Sequence, residues 1–294
     1  MLLHGAAGAG KGRAVDSLIQ YLCATAGVPI CPGQLRLRRC LKLLQSFCCA
    51  GNQAGANSSY ATTVIKLTLV DGGIQSMELS LAGLAVSQLL QPHMNSNWFH
   101  IMHQLVAGLK DKKHSQLLPE VAFSLEPRIR LAGLTDRTAW LDTVATLTEE
   151  LGWTKDKLRE LEELLVLIAH LAQLDLGCAG RAAAHSLGVP RSRDGASLTE
   201  LLYSRPITSL AELLGLSPLE LLAGLLSKSV VEQLVNDEER PVGQQLASAA
   251  HANVLGLAGG LYCGLVKHLV EQINLGLINY NKSKFRPACI QTGL

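Results

Sequence analysis

Gly5-Ala6-Ala7-Gly8-Ala9-Gly10-Lys11-Gly12, near the start of the chain, fits the pattern GxxxxGK but ends in Gly where Ser or Thr is usual. Residues this small let consecutive backbone N–H groups wrap a phosphate, and the positive end of a following helix adds to the attraction. Apolar Leu2 and Leu3 precede the segment, and apolar residues at helical spacing follow from Val15 to Leu22. This strand–loop–helix setting predicts a phosphate loop at residues 5–12. A flexible Gly/Ala-rich start to a helix is the alternative.

The last position of this loop limits its chemistry. Lys11 would reach the β- and γ-phosphates of a bound nucleotide. The hydroxyl that usually follows the lysine holds Mg²⁺, which neutralises charge between these phosphates. Gly12 has no side chain with which to coordinate a metal. The loop therefore predicts phosphate binding with little support for Mg²⁺.

The composition indicates a folded chain with an aliphatic core. The length of 294 residues is enough for one large domain or two ordinary ones. Hydrophobic residues make up 48% of the chain, which is enough to form a core. The net charge of +2 argues against nucleic acid as the main partner. Arg36, Arg38 and Arg39 form a short basic cluster, interpreted as a solvated face, with phosphate or an acidic partner as the alternative. Eight cysteines without regular spacing, and no secretion signal, predict reduced thiols in the cytosol.

The first third of the chain predicts a mixture of helices and strands. Helices are predicted at about residues 13–26 and 35–47, and the small polar residues at 51–59 predict a loop. Alternating apolar residues at 62–70 and 74–84, around an Asp-Gly-Gly turn, predict the only clear hairpin.

From residue 85 the periodicity is helical almost to the end. Asp136 is a predicted helix N-cap, Gly152 a C-terminal residue in the left-handed region, and Thr154 the cap of the next helix. Exposed loops are predicted at residues 188–196 and 236–243. Three capping boxes pair a serine with a glutamate three residues later: Ser197 with Glu200, Ser209 with Glu212, and Ser217 with Glu220.

Residues 246–266 carry no charge and contain Gly260 and Gly264 in a GxxxG pattern. These features would suit a membrane-spanning segment. The segment also contains serine, histidine and asparagine, and its apolar periodicity continues beyond Lys267. A buried helix is therefore the favoured interpretation, and a membrane span at 246–266 the alternative.

Seven segments, in the same order along the chain, resemble segments of the myosin motor head. Residues 5–12, with the helix after them, resemble GESGAGKT and its following helix. Residues 47–63 align without gaps on FGNAKTxxNxNSSRFGK, which leaves Asn57-Ser58-Ser59 of switch I intact. The other segments are the hairpin turn at 71–74 and the helical segments 97–108, 147–175, 213–218 and 261–274. The chain thus resembles a divergent, partial unconventional myosin head; the class stays open, with class XV preferred.

The resemblance implies an α/β but predominantly helical fold. This would be a partial P-loop NTPase myosin-head fold, with an incomplete mixed sheet and a helical subdomain like the upper, actin-facing one. Residues 1–275 would form the partial motor-like domain, with a switch I-like segment at 55–63 and the helical subdomain at about 85–275. Residues 276–294 would be a divergent tail. An incomplete sheet leaves strand edges unprotected, which predicts poor solubility unless a partner covers them.

Carried over residue by residue, the resemblance implies a set of nucleotide-binding positions. These are Gly5, Ala6, Ala7, Gly8, Ala9, Gly10, Lys11, Gly12, Asn57, Ser58 and Ser59. Ser59 would be the Mg²⁺ ligand, and Ser58 would lie near the γ-phosphate. Gly55 replaces an Asn that contacts nucleotide. Tyr60 replaces the Arg that closes on a switch II glutamate, and tyrosine cannot form that bidentate, charge-assisted pair.

Switch II has no counterpart in the sequence, so no catalytic set is intact. The resemblance therefore implies a degenerate motor-head module that binds ATP or ADP weakly and actin filaments partially, in the cytoplasm with the cytoskeleton. Little or no ATPase activity is expected, because each missing group would raise the barrier to phosphoryl transfer. The alternatives are a structural or interaction fragment with an empty phosphate loop, and residual ATPase activity.

Two further groups of side chains suggest metal sites. His100 and His103 lie one helical turn apart and could join His93, but packed histidines are the favoured interpretation. Cys48 and Cys49 are adjacent, a spacing more typical of small buried groups than of a chelate.

Overall fold

The computed structural model describes residues 9–25, 32–52, 55–70, 73–86, 96–109, 133–174, 202, 204–226 and 244–284. These residues are mostly helical, with two small antiparallel sheets. The chain divides into two compact units. Unit 1 comprises Met1–Lys110, Glu126–Arg159 and Cys263–Leu294, and unit 2 comprises Asp111–Leu125 and Glu160–Tyr262. The predicted loops at 188–196 and 236–243, and the capping box at Ser197, lie outside the described residues.

Strands occur only before residue 100 in the described part of the chain, and the elements after it are helices. In chain order the elements are α1 (Lys11–Thr25), α2 (Pro32–Cys48), β1 (Cys49–Asn52), β2 (Gly55–Ser59), β3 (Thr62–Val70), β4 (Gly73–Ala82), β5 (Ser96–Phe99), α3 (His100–Leu109), α4 (Arg137–Glu149), α5 (Lys155–Gln173), α6 (Arg205–Leu214), α7 (Pro218–Leu226) and α8 (Gln244–Lys284).

The first sheet has the strand order β2-β1-β5 with antiparallel pairing. Cys49 pairs with Ser59, and Ala50 pairs with both Ser58 and Phe99. The prediction of a loop at residues 51–59 is therefore wrong. Gly, Ala, Asn and Ser have low strand propensity, but here β1 is buried between two partner strands, and this tertiary setting outweighs local preference.

The second sheet is the hairpin β3–β4, which confirms the predicted one. Its register runs from Thr62 opposite Ala82 to Val70 opposite Gly73. The Asn274 side chain on α8 holds this hairpin: Leu79 N–H donates to Asn274 Oδ1 and Asn274 Nδ2 donates to the Leu79 carbonyl, each at 2.8 Å. The side-chain amide thus provides the acceptor and the donor that a neighbouring strand would offer to the backbone of Leu79.

The core of unit 1 lies between α2, α3, α4 and the first sheet. Phe47, Phe99 and Leu105 are completely buried, and each such side chain contributes about 1.5–3 kcal/mol through its removal from water. Gly108 on α3 meets the buried ring of Trp140 on α4, and a methyl group at this position would overlap the indole. Gly108 is therefore required for the close packing of the two helices.

Helix caps confirm several predictions and correct one. Asp136 accepts a hydrogen bond from Ala139 N–H at 2.9 Å and begins α4, and Gly152 has φ +67° as expected. Thr154 precedes α5, and the box at Ser217 forms with Glu220. The box at Ser209 is wrong, because α6 begins earlier, after Ser204, with a proline in its first turn.

The helix α8 is 41 residues long and continues past residue 275 to Lys284. The boundary between the motor-like domain and the tail at residue 276 stays a prediction. The α8 segment Ala252–Leu277 is long and apolar enough to cross a membrane. The helices α6 and α7 meet the same criterion of length and hydropathy only when they are taken together, as one broken span with a bend of 99° between them. Buried residues on α8 recur at Val254, Ala258 and Tyr262, the spacing of a core helix. Much of the apolar face needed for a membrane span is thus inside the fold.

Candidate functional site

The phosphate-loop side of the candidate site is described from Ala9 onward, and Gly5, Ala6, Ala7 and Gly8 lie outside the described residues. Gly10 has φ +79°, in the left-handed region that favours glycine, and its carbonyl accepts from Ala14 N–H at 3.0 Å. Lys11 is the first residue of α1, which has no acidic side chain in its first turn. The N–H groups and positive end of this helix are thus not neutralised locally, an arrangement that favours an anion.

Gly12 has space around it. A Cβ atom at this position would have Gln45 Nε2 of α2 as its nearest neighbour, at 4.0 Å. Crowding therefore does not explain the missing hydroxyl, and the site can accept a side chain.

The helix α1 packs against α2. Ile19 is buried, and Asp16 forms an ion pair with Arg38 at 3.8 Å between side chains that are 48% and 42% exposed. Such exposed pairs contribute little to stability. Hydrophobic contact at Ile19 is therefore the main described anchor of this helix.

The switch I-like residues lie on β2, where two of their hydroxyl groups donate to nearby atoms. Ser58 is buried and its Oγ donates to Asn52 Oδ1 at 2.9 Å. Ser59 is exposed and its Oγ donates to the Ala61 carbonyl at 2.7 Å. A hydroxyl that donates still has lone pairs for a metal. Ser59 thus retains the chemistry of a ligand, whereas Ser58 is used inside the hairpin.

Asn52 organises this hairpin, and sequence reasoning did not predict its role. Its Oδ1 accepts from Gly55 N–H at 3.0 Å as well as from Ser58, and its Nδ2 donates to the Tyr60 hydroxyl at 3.3 Å. The Tyr60 ring packs edge-on against Phe99, with ring centroids 6.0 Å apart. Asn followed by Gly three residues later was the local signal that could have indicated this turn. Tyr60, where the myosin pattern has Arg, thus serves the packing of the hairpin.

Asn57 contacts α3 through His100, whose Nε2 lies 3.2 Å from Asn57 Oδ1. Both residues line a small cavity between α2, β2, α3 and α4, with a volume of about 30 Å³. This volume admits one or two water molecules and is far too small for a nucleotide. Gln45, the neighbour of Gly12, also lines the cavity, so α2 connects the two sides of the candidate site.

A buried polar network lies next to this cavity. Gln104 donates from Nε2 to Ser46 Oγ at 3.1 Å and to the Leu134 carbonyl at 2.7 Å, and its Oε1 accepts from Thr143 Oγ1 at 2.9 Å. The network satisfies the buried amide and links α2, α3 and α4. It is a rigid support behind β2.

The residues suggested as metal ligands are packed groups. Burial raises the pKa of Cys48 to about 12 and of Cys49 to about 11, so both thiols stay protonated at neutral pH. His100 and His103 are buried on α3, and His93 lies outside the described residues. Within the described part of the chain, no group of three or more His, Cys, Asp or Glu side chains could hold a metal ion.

The basic cluster on α2 is paired with acidic residues. Arg38 and Arg39 are exposed, as predicted, but Arg36 is only 19% exposed and pairs with the Glu150 carboxylate and carbonyl. Arg39 contacts Glu149 and Glu150 at 2.9 and 3.0 Å. Most of this positive charge is therefore balanced within unit 1.

Comparison with known proteins found a similarity to part of a myosin. No protein-family model matches it. The human protein unconventional myosin-XV is 24% identical to it over 217 residues, which are 70% of this chain and 6% of that protein. The chain is therefore similar to a small part of a myosin, which supports the resemblance at the level of a myosin-like region. The assignment to class XV stays a prediction.

Proposed function

We propose that this chain is a myosin-head-like module that binds the phosphates of ATP or ADP weakly and does not hydrolyse them. The observation that carries the proposal is the similarity to part of unconventional myosin-XV. By the myosin resemblance of their sequences, the loop at residues 5–12 and the strand β2 correspond to segments that contact nucleotide in that family.

Phosphate binding is supported by the start of α1. The left-handed Gly10 leads directly into Lys11, and the helix start lacks an acidic side chain that would repel a phosphate. These groups provide backbone donors and one cationic side chain. We expect weak binding, because the second cationic or metal-binding group of an ordinary phosphate loop is missing.

Hydrolysis is disfavoured by three features of the same region. Gly12 offers no Mg²⁺ ligand, Ser58 is buried with its hydroxyl bound to Asn52, and Tyr60 packs on Phe99 where a gate arginine would act. Phosphoryl transfer depends on positioned charge, and losing one such group costs roughly 10²–10³ in rate. Turnover should therefore be undetectable above background.

Titration of the full chain with labelled ADP tests the binding proposal. Lys11→Ala should abolish binding, whereas Lys66→Ala, which removes the same charge from the exposed hairpin β3–β4, should leave it unchanged. No binding by the unmodified chain at millimolar ADP would sink the proposal and favour a structural fragment with an empty phosphate loop. Equal binding by the Lys11→Ala variant would show that the site lies elsewhere.

We also propose partial association with actin filaments, and hence a cytoskeletal location in the cytoplasm. This rests on the myosin resemblance of the helical segments. Co-sedimentation with filaments should show weak binding that ATP does not change. Release of the chain by ATP would contradict the loss of motor chemistry, and absence from the pellet would contradict the partnership itself.

A further inference from the structure

His100 connects the strand β2 to the helix behind it. It is the first residue of α3, is 1% exposed, and its Nε2 lies 3.2 Å from Asn57 Oδ1. An amide oxygen only accepts hydrogen bonds, so His100 carries its proton on Nε2. The backbone of β2 pairs with β1 on one side and lies at the edge of its sheet, so this side-chain bond supports an edge strand.

The other ring nitrogen of His100 fixes the charge of the imidazole. Nδ1 is buried and has no hydrogen-bond partner among the described residues. A second proton would create a buried N–H without an acceptor and a buried charge without a counter-ion, both of which are costly.

The charged groups around His100 do not compensate for a positive ring. Lys42 of α2 and Asp142 of α4 line the same cavity but bind each other at 2.7 Å, and His103 on α3 adds only positive potential. Burial, followed by the effect of His103, lowers the pKa of His100 to about 4. The ring is therefore neutral at physiological pH.

We propose that His100 is a positioning residue that holds Asn57, and with it β2, against α3, and that the ring in this packed position excludes a second proton, because Nδ1 is buried without an acceptor in the described part of the chain. The functional role of this contact between His100 and Asn57 rests on the proposed function, because Asn57, Ser58 and Ser59 are the switch I-like residues of the proposed nucleotide site. Acidification would then favour release of the strand, because a released ring can take up the proton that the packed ring excludes.

Backbone amide exchange of the full chain, followed by NMR, tests the hold without nucleotide. Asn57→Ala and His100→Leu should each speed exchange at residues 57–59 about fivefold at pH 7, the size expected for one lost hydrogen bond. His100→Gln, whose side-chain N–H₂ can donate to Asn57, should keep exchange slow. His268→Gln, at an exposed position on α8, is the matched control. Unchanged exchange in Asn57→Ala would overturn the proposal even if the His100 variants failed to fold.

A pH series separates positioning from simple packing. After correction for intrinsic exchange, residues 57–59 should exchange faster relative to α4 as the pH falls from 7 to 4.5 in the unmodified chain. The His100→Gln variant should lose this dependence. Exchange that is equally pH-independent in both proteins, or a His100 ring that NMR shows protonated on Nδ1 at pH 7, would contradict the proposal.

ADP titration of the same variants connects the hold to the nucleotide site. Asn57→Ala and His100→Leu should weaken ADP binding severalfold, and His100→Gln should restore it. If the unmodified chain binds no ADP, the proposed function fails while the exchange data decide the hold by themselves. If ADP binds with equal affinity to all variants, His100 does not position the site.

Discussion

The two sides of the candidate site, the start of α1 and the strand β2, are held in different ways. The start of α1 is exposed, and the helix is fastened to α2 mainly by the buried Ile19 and a long ion pair. The strand β2 is held by Asn52 from within its hairpin and by His100 from α3. The start of α1 has no acidic side chain in its first turn, whereas β2 uses its polar groups for its own structure.

This difference gives the Asn57-Ser58-Ser59 sequence a structural role that does not depend on catalysis. Asn57 bonds to His100, and the hydroxyls of Ser58 and Ser59 donate to Asn52 and to the Ala61 carbonyl. Each residue therefore has a structural reason to be present. At the start of α1, the Gly10 carbonyl bonds to Ala14 N–H, and phosphate binding by this end of the helix stays a proposal.

The largest effect is expected from Gly108→Ala, which disrupts the packing of α3 against α4 behind β2. The added methyl group would overlap the Trp140 ring and push α3 from α4, at a cost of about 3 kcal/mol in the free energy of unfolding. Urea unfolding measures this cost. Gly260→Ala on α8 is the control, since its Cβ meets nothing within 4 Å and should stabilise the helix slightly. A Gly108→Ala chain as stable as the original would mean that the two helices are not in close contact.

Acid should lower the stability of the folded chain through His100, which contacts β2. The pKa of His100 is lowered to about 4 from an ordinary value of 6.5, so between these values the unfolded chain binds a proton that the folded chain excludes. Stability therefore falls as the pH is lowered from 7 to 5, by about 2 kcal/mol through linkage. The lowered pKa values of Asp136 and Glu220 act at lower pH, below the ordinary range of carboxyl groups.

Urea unfolding at pH 7 and pH 5 measures the acid effect. The His100→Gln variant should lose most of it, and His268→Gln should keep it. Equal pH dependence in all three proteins would assign the loss of stability to other groups.

A smaller effect is expected from Asn52→Ala, which removes the side chain that accepts two hydrogen bonds from β2 in the hairpin β1–β2. It leaves Gly55 N–H and the Ser58 hydroxyl without their acceptor, at a cost of about 1–2 kcal/mol. Ser59→Ala is the matched control, because its exposed hydroxyl donates to the nearby Ala61 carbonyl and should matter by less than about 0.5 kcal/mol. The same loss in both variants, measured by thermal unfolding, would contradict the role of Asn52.

Local signals in the sequence predicted the elements whose causes are local. The Asp-Gly-Gly turn indicated the hairpin β3–β4, and the caps at Asp136 and Ser217 predicted where helices begin. The strands β1 and β2 were missed because their Gly, Ala, Asn and Ser residues have low strand propensity, and because β1 also pairs with β5, which is distant in sequence.

In the candidate site, too, features with local causes could be predicted and contacts between distant residues could not. The phosphate loop at residues 5–12 and the switch I-like sequence were predicted from their residue order, and both stay predictions. The role of His100 could not be predicted, because it depends on a bond between residues 43 positions apart. The pairing of Arg36 with Glu150 spans 114 positions and was missed for the same reason.

Dependence of ADP binding on Mg²⁺ tests the central claim, that the site keeps phosphate binding but has lost the metal ligand. Affinity for labelled ADP is measured with Mg²⁺ and with a chelator, in the unmodified chain and in Gly12→Thr, whose side chain has room beside Gln45. The unmodified chain should bind ADP equally in both conditions, and Gly12→Thr should gain severalfold when Mg²⁺ is present. Tenfold tighter binding with Mg²⁺ by the unmodified chain would contradict the account.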